Sequence, residues 1–362
     1  MSSCYKHINW QSKQYSYSEF YAFIKNKIKD NSLEEWELDI YSFTLDWLNT
    51  DVKTFEVMTS GSTGTSKMII LNRADMIKSA HTTGFFFKLK PNDKVLHCLP
   101  TKYIAGKMMI VRALVLGLDL YVANPKIDAL TYIKNTYAFC ALIPLQIQYA
   151  LDNQLFNQIQ KISTLIIGGA HLSNSYLKRL KKLKTKVYAT YGMTETITHI
   201  ALQKLNGINK SEHFSCLPNF KVGQDERGCL IINNSINPKK KWFTNDLATI
   251  LSPTKFKIIG RIDDVINTGG LKINPSEIES IISPLINSPF MIGYLKDNLL
   301  GQKLVLLIES NETVVYKNIL IEIKQLLGSN KTPKEVYFIQ KLLLTPNGKL
   351  DRKKNNIYLM NL

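Results

Sequence analysis

Between residues 94 and 192 the chain alternates short aliphatic and β-branched runs with segments of helical spacing: KVLHCL, IAGKMMIVRALVLG, DLYVA, IDALTYIKN, FCALI, PLQIQYALDNQ, STLIIGG, NSYLKRLKKL and KVYATYG. Strands separated by helices re-enter a sheet in the same direction, so this rhythm predicts parallel strands covered by helices, an α/β fold. In such sheets the ligand crevice lies beyond the carboxyl ends of the strands. Both LIIGGAH and VYATYGMTET are strands that empty into Gly-containing loops, and those loops are the first places to look for a site. A helical region (YSEFYAFIKNKIK, then SLEEWELDIYSFTLDWL) precedes this block. Past residue 205 the pattern turns to short strands and turns (GCLIINNS, KWFTNDLATIL, KFKIIG), then to a compact α+β tail. The candidate boundary is Gly260 to Asp264, giving a large α/β domain over 1–260 and a small α+β domain over 261–362.

Composition narrows the function classes. With 45% hydrophobic residues in 362, the chain has material for a substantial core and about two domains. Cys4, Cys98, Cys140, Cys216 and Cys229 lack CxxC spacing, which fits reduced thiols and argues against a disulfide framework or a zinc site. The start MSSCYKHINWQSKQY has no signal-peptide pattern and no run approaches a membrane span, so the expected location is the cytoplasm, with no membrane insertion. The formal charge of +17 attracts anions of every kind, nucleotides and coenzyme A among them. The densest basic stretch, LKRLKKLKTK, reads as the solvated face of an amphipathic helix, and no aromatic-and-basic fingerprint of specific nucleic-acid binding is present.

MTSGSTGTSK (58–67) sets Gly61 and Gly64 among Ser and Thr hydroxyls and a Lys, the composition of a loop that cups an anion with backbone N–H groups. It is not a Walker A loop, because only two residues separate the glycines and Met68 follows Lys67. By itself it is equally a solvated turn. ATYGMTET (189–196) puts Tyr191, Thr194 and Glu195 around Gly192, where a ring can stack on a base and a carboxylate can face a metal. FTNDLATI places Asp246 in a strand-like segment, suited to a pair of ribose hydroxyls or to a plain turn. GRIDDVINTGGLKINPSEIE (260–279) combines Arg261, two carboxylates, a Gly pair and a Pro-Ser-Glu helix start, and LTPNGKLDRKK (344–354) reads by default as an Asn-Gly turn.

Taken in order across residues 59 to 353, TSGSTGTSK, LPTKYIAG, GGA, YGMTET, TNDLA, GRIDDVINTGGLKINPSEIE and TPNGKLDRK resemble the adenylate-forming superfamily of acyl-CoA synthetases, luciferases and peptide-synthetase adenylation domains. Within it the chain is most similar to the menaquinone-pathway ligases that activate an aromatic keto-diacid, o-succinylbenzoate, as its coenzyme A thioester. The resemblance implies an adenylate-forming fold with an abbreviated N-terminal subdomain, and ATP, Mg²⁺ and coenzyme A as reactants or cofactors. The loop Thr59, Ser60, Gly61, Ser62, Thr63, Gly64 and Lys67 would hold the β- and γ-phosphates. Gly168, Gly169 and Ala170 would border adenine, with Tyr191 and Gly192 beside them; Thr194 would meet the α-phosphate and Glu195 would hold Mg²⁺. Asp246 and Arg261 would contact the ribose. Asp263 matches the hinge, Gly269 and Gly270 the loop presented to the coenzyme A channel, and Lys349 the lysine that bridges substrate carboxylate and α-phosphate.

The departures from the family pattern are specific. The phosphate loop begins near residue 59, much earlier than is usual, so the expectation is that most of the usual N-terminal subdomain is missing or abbreviated; a homodimer is compatible with that. Tyr103 stands where many relatives carry His, and Asn245 replaces the commoner Gly. A keto-diacid has one carboxylate to activate and another to neutralise, which calls for a cation in an apolar pocket. Of the two cations in YIAGKMMIVRALVLG, Lys107 is the candidate and Arg112 reads as structural; Tyr103, Thr198 and His199 are further pocket candidates. Another acyl-CoA ligase, a stand-alone adenylation domain and, more distantly, a non-catalytic basic nucleotide- or nucleic-acid-binding protein remain as alternatives.

Overall fold

The structure, a computed structural model, describes residues 7–58, 67–169, 172, 174–234, 240–311, 316, 318–345 and 350–361. The chain divides into two compact units: Met1–His171 with Arg179–Pro218, and Leu172–Lys178 with Asn219–Leu362. This division by packing precedes the motif boundary at residue 260, which concerns motion and is a separate proposal.

The first stretch runs β1 (Ile8–Trp10), β2 (Lys13–Tyr15), α1 (Tyr17–Ile28), α2 (Glu35–Leu48), β3 (Thr54–Met58), β4 (Met68–Asn72), α3 (Arg73–Phe87), β5 (Lys94–His97), α4 (Ile104–Leu116), β6 (Asp119–Val122), β7 (Tyr137–Leu142), α5 (Pro144–Asp152), α6 (Phe156–Gln160), β8 (Ile162–Ile167), α7 (Asn174–Leu180), β9 (Lys186–Gly192), β10 (His199–Lys204) and β11 (Phe214–Cys216). In unit one the sheet order is β11-β10-β9-β8-β7-β5-β6-β1-β2. Every pairing from β9 to β1 is parallel, as the alternation predicts, and antiparallel strands close both ends. The N-terminal hairpin β1–β2, which carries no turn signal of the usual kind, was not legible in the sequence: its turn residues Gln11 and Ser12 both take positive φ.

The order reverses at β5, which has β6 on one side and β7 on the other. That reversal is the topological switch point, and it opens a crevice at the carboxyl ends of β5 and β7. α4, which follows β5, is buried nearly all round, as its run of Met, Ile, Val and Leu requires. The stretch IDALTYIKN, with helical spacing, forms only separate turns, with i→i−3 bonds at Ala129, Thr131 and Ile133. Ala129, Leu130 and Ile133 are anchored in the core while Ile127 and Tyr132 stay exposed, and the stretch closely follows Pro125.

The second stretch runs β12 (Phe220–Gln224), β13 (Cys229–Asn234), β14 (Lys241–Ser252), β15 (Lys255–Arg261), β16 (Ile266–Thr268), β17 (Leu271–Ile273), α8 (Pro275–Ile282), β18 (Phe290–Asp297), β19 (Gly301–Glu309), α9 (Ile319–Leu327), β20 (Glu335–Ile339) and α10 (Arg352–Met360). β12 to β15 form an antiparallel meander. β17, β16, β19, β18 and β20 form a second sheet whose apolar face packs on α8 and α9 through Ile278, Ile282, Ile319 and Ile323. α8 starts where the sequence says it should: Asn274 caps the N–H of Ser276 and Pro275 occupies the first turn.

Candidate active site

In unit one, three chain segments leave the carboxyl ends of the parallel strands. The segment after β5 runs through Thr101 to Tyr103 and enters α4, where a Cβ on Gly106 would come within 2.9 Å of Thr101 Cα. Only glycine permits that close approach. Lys102 lies over the half-buried Tyr103 ring. His97, at the end of β5, is buried with Nε2 3.1 Å from Thr101 Oγ1, and its Nδ1 has no partner among the described residues. Burial pushes its pKa down to about 4, so the imidazole is neutral at physiological pH.

After β8 come Gly168 and Gly169, the latter at φ 104°. After β9 come a 3-10 turn (Thr194–Thr196) and then β10, which doubles back so tightly that a Cβ on Gly192 would stand 2.7 Å from His199 Cα. The reversal is forced through Ile197, at φ 71° and ψ −58°, with Thr198 N–H donating to Thr196 O at 2.9 Å. This is a γ-turn of positive φ on a β-branched residue, a strain on the order of 1–3 kcal/mol. Thr196 Oγ1 accepts from Met193 N–H at 3.0 Å and holds the turn shut. Glu195 therefore projects from a rigid turn, exposed, with no hydrogen bond or ion pair to a described residue. An exposed carboxylate with no protein cation on it fits a bound cation. Tyr191 sits beside Phe214, ring centroids 5.8 Å apart.

A second group lies deeper in the same unit, where α3, α4 and β10 meet. Arg112 is 2% exposed and forms no ion pair with a described residue; its Nε has no partner and its Nη1 approaches only Met109 Sδ, at 3.7 Å. Burial lowers its pKa to about 10. His199 is buried with Nε2 3.5 Å from Thr83 Oγ1, and burial together with the Arg112 charge pushes its pKa down to about 3. Ser79 and Thr198 hydroxyls are 2.7 Å apart at the edge of this group. A cation held in an apolar core without a counter-ion costs several kcal/mol, so among the described residues this arrangement is chemically suited to receive an anion. Lys107 points elsewhere: five residues from Arg112, it is about 140° around the helix, with its ammonium 4.5 Å from the Phe43 ring and within reach of Asp39 and Asp46. Thr83, Ser79 and the Ile197 turn, which border this group, do not stand out in the sequence, and the available signal for Arg112 is a second cation in an otherwise apolar helix.

Lys67, the described end of the first loop, is exposed in unit one, and unit two holds the remaining described candidates. Asp246 and Arg261 face each other across β14 and β15, with Nη1 3.1 Å from Asp246 Oδ1. Nη2 of the same arginine is 2.6 Å from Asp263, which also accepts from the Asn245 amide at 3.2 and 3.3 Å. Gly269 and Gly270 form the β16–β17 turn at φ 54° and 80°, and Gly269 N–H donates to Leu300 O at 2.9 Å.

Thr59, Ser60, Gly61, Ser62, Thr63, Gly64, Ala170 and Lys349 lie outside the described residues. The flanks of the first loop are described: Met58 pairs with Met68 in the β3–β4 hairpin. Among the described residues no group of three His, Cys, Asp or Glu side chains could hold a metal, and no helix is long and apolar enough to cross a membrane.

Residues 48–219 match the family described as AMP-binding enzyme. The chain is 34% identical to the acyl-CoA synthetase (AMP-forming)/AMP-acid ligase II-like protein from Dyadobacter fermentans, covering 93% of this chain and 98% of that one with a TM-score of 0.61. It is 26% identical to the 2-succinylbenzoate–CoA ligase of Haemophilus influenzae, over 95% of this chain and 78% of that protein. The fold also matches the o-succinylbenzoate coenzyme A synthetase of Bacillus subtilis, solved with ATP and magnesium ion, at a TM-score of 0.68 and 18% identity, over 83% of this chain and 69% of that one.

Proposed function

The chain belongs to the AMP-binding enzyme family, and on that premise we propose that it is an ATP-dependent o-succinylbenzoate–CoA ligase. The observation that carries the choice of acid is Arg112, a buried cation with no ion-pair partner among the described residues, set beside neutral His199. A diacid substrate would bring the missing carboxylate, and its burial against Arg112 would turn an unfavourable desolvated charge into a hydrogen-bonded ion pair.

In the first half-reaction the other carboxylate attacks the α-phosphorus of ATP, the bond to pyrophosphate breaks, and an acyl-adenylate forms. Both reactants are anionic, so the work is charge screening and alignment. The loop from Thr59 to Lys67 would retain the β- and γ-phosphates, Thr194 would meet the α-phosphate and Lys349 would bridge the attacking carboxylate. Tyr191, Gly192 and the segment Gly168 to Ala170 would receive adenine, while Asp246 and Arg261 would take the ribose. Glu195 would hold Mg²⁺, which when bound neutralises phosphate charge. In the second half-reaction the sulfur of coenzyme A attacks the acyl carbon and AMP leaves with the bonding pair. For that step residues 261–362 would turn about Asp263, bringing the Gly269–Gly270 loop forward and withdrawing Lys349.

The test is turnover of o-succinylbenzoate with ATP, Mg²⁺ and coenzyme A, compared with 3-benzoylpropionate, which lacks the ring carboxylate. The expected result is AMP, pyrophosphate and the thioester, with o-succinylbenzoate preferred about 100-fold in kcat/KM. Equal use of the mono-acid, or transfer to a carrier protein in place of coenzyme A, would replace this reading with one of its rivals.

A further inference from the structure

Unit two contains a second largely buried arginine that the reaction scheme leaves unused. Arg352 opens α10, three residues after Lys349, and its side chain is 16% exposed. Its Nη1 donates to Glu279 Oε1 at 2.8 Å, its Nη2 to Glu279 Oε2, and its Nε lies 3.5 Å from Asp264. Ser276 Oγ at 3.3 Å and Ile292 O at 3.4 Å complete the shell, and Glu279 also accepts from Ile292 N–H at 2.8 Å. One guanidinium thus ties the start of α10 to α8, to β18 and to the turn Ile262–Asp264. Burial pulls the arginine pKa down, but Glu279 and Asp264 outweigh it and raise it, so the fork stays charged.

The described residues on either side of the lysine segment are fixed to the same point. Leu344 and Leu350 form an antiparallel bridge, and Asp351 N–H donates to Leu343 O at 3.0 Å. The wholly buried Asn355 grips Leu343 from both directions, accepting its N–H at 2.9 Å and donating to its carbonyl at 2.8 Å. Arg352 anchors this clamp, and three residues of chain keep Lys349 within roughly 10 Å of the anchor.

We propose that Arg352, held by Glu279 and Asp264, is a positioning residue for adenylation: it fixes the described residues flanking the lysine segment to the turn that carries Asp263, so that pivot and lysine move as one body. The inference rests on the ligase reading and on Lys349 serving the first half-reaction. Neither partner carboxylate touches substrate in this scheme; a misplaced lysine loses alignment, and alignment is what a reaction between two anions needs.

The experiment is a double-mutant cycle read separately in each half-reaction, with o-succinylbenzoate-dependent ATP–pyrophosphate exchange for the first and coenzyme A attack on supplied acyl-adenylate for the second. Arg352→Met is expected to lower kcat for exchange about 10- to 100-fold with the ATP KM changed less than about threefold, and thioester formation should stay within about twofold. In a Lys349→Ala background the same substitution should cost less than about twofold more, because there is no lysine left to position. Arg352→Lys, which keeps charge but not the fork, should recover only part of the loss. Equal loss in both half-reactions, or a full additional loss on top of Lys349→Ala, would overturn the proposal and leave Arg352 as a purely structural tie. Should Arg352→Met fail to fold, Asp264→Asn, nearly isosteric, carries the same cycle: loss confined to exchange supports the proposal, and equal loss in both steps overturns it. Wild-type exchange and Lys349→Ala alone test the underlying reading, so its failure is distinguishable from failure of the Arg352 assignment.

Discussion

Two arginines sit inside this protein on opposite terms. Arg352 in unit two is met by two carboxylates, a hydroxyl and a carbonyl, and its charge is reinforced. Arg112 in unit one is more deeply buried and is met by a thioether, with its pKa lowered to about 10. A satisfied buried charge holds elements together; an unsatisfied one is tolerated where a ligand completes it. The difference separates a residue whose partners are in the fold from one with no counter-ion among the described residues, whose partner, on the reading proposed above, arrives with the substrate.

The widest test of that contrast is Arg112→Met. It should lower kcat/KM for o-succinylbenzoate by about 100- to 1,000-fold, because the ring carboxylate then meets an apolar wall. The same change removes a desolvated charge, so the unliganded protein should melt about 2–4 °C higher in a calorimetric scan. A drop in melting temperature would show that Arg112 is structural after all. At Arg352 the sign reverses: Glu279→Ala leaves a charge and the Ile292 N–H without their partner, and urea titration should show a loss of about 2–3 kcal/mol. Acid should strike unit one. His97 and His199 are held neutral at native pKa values of about 4 and about 3, below the value near 6.5 of an unfolded histidine. The unfolded chain therefore binds the extra protons, the stabilisation is complete above pH ~6.5, and about 2 kcal/mol for each histidine is lost by pH 5. Urea midpoints at pH 7.5 and 5.0 should differ less in His199→Gln than in the wild type, and an unchanged difference would remove His199 from that account.

Physical periodicity in the sequence is enough to recover the parallel sheet, because β-branched runs such as STLIIGG have no alternative to a buried strand when helices flank them. It does not reveal β1 and β2, three residues each, which are too short to show a period. Gly192 and the Thr194–Thr196 turn are legible as a strand end with polar side chains; the strain at Ile197 is not, since nothing in an isoleucine announces positive φ. Lys107 and Arg112 are two cations of one apolar helix, and only their surroundings separate them: an aromatic ring and acidic neighbours for the lysine, a dry core for the arginine. Arg352 lies within a recognisable motif and carries no separate signal, because Glu279 and Asp264 are 73 and 88 positions away and no local pattern joins them.

Asn245 stands where many relatives place glycine, and its amide reaches Asp263 while Arg227 reaches its carbonyl at 3.3 Å. With glycine the carboxylate would keep Arg261 but lose this amide grip. If rotation about Asp263 begins by parting these groups, each partly solvated hydrogen bond adds roughly 0.5–1 kcal/mol to the barrier and lengthens the dwell in the posture that contains it about two- to fivefold. The effect of that one amide is on timing. Where that posture is the one in which the acyl-adenylate forms, the intermediate waits longer for its thiol, and a mixed anhydride that waits is exposed to water, so a slower pivot would set a stricter demand on how dry the pocket around Arg112 must stay.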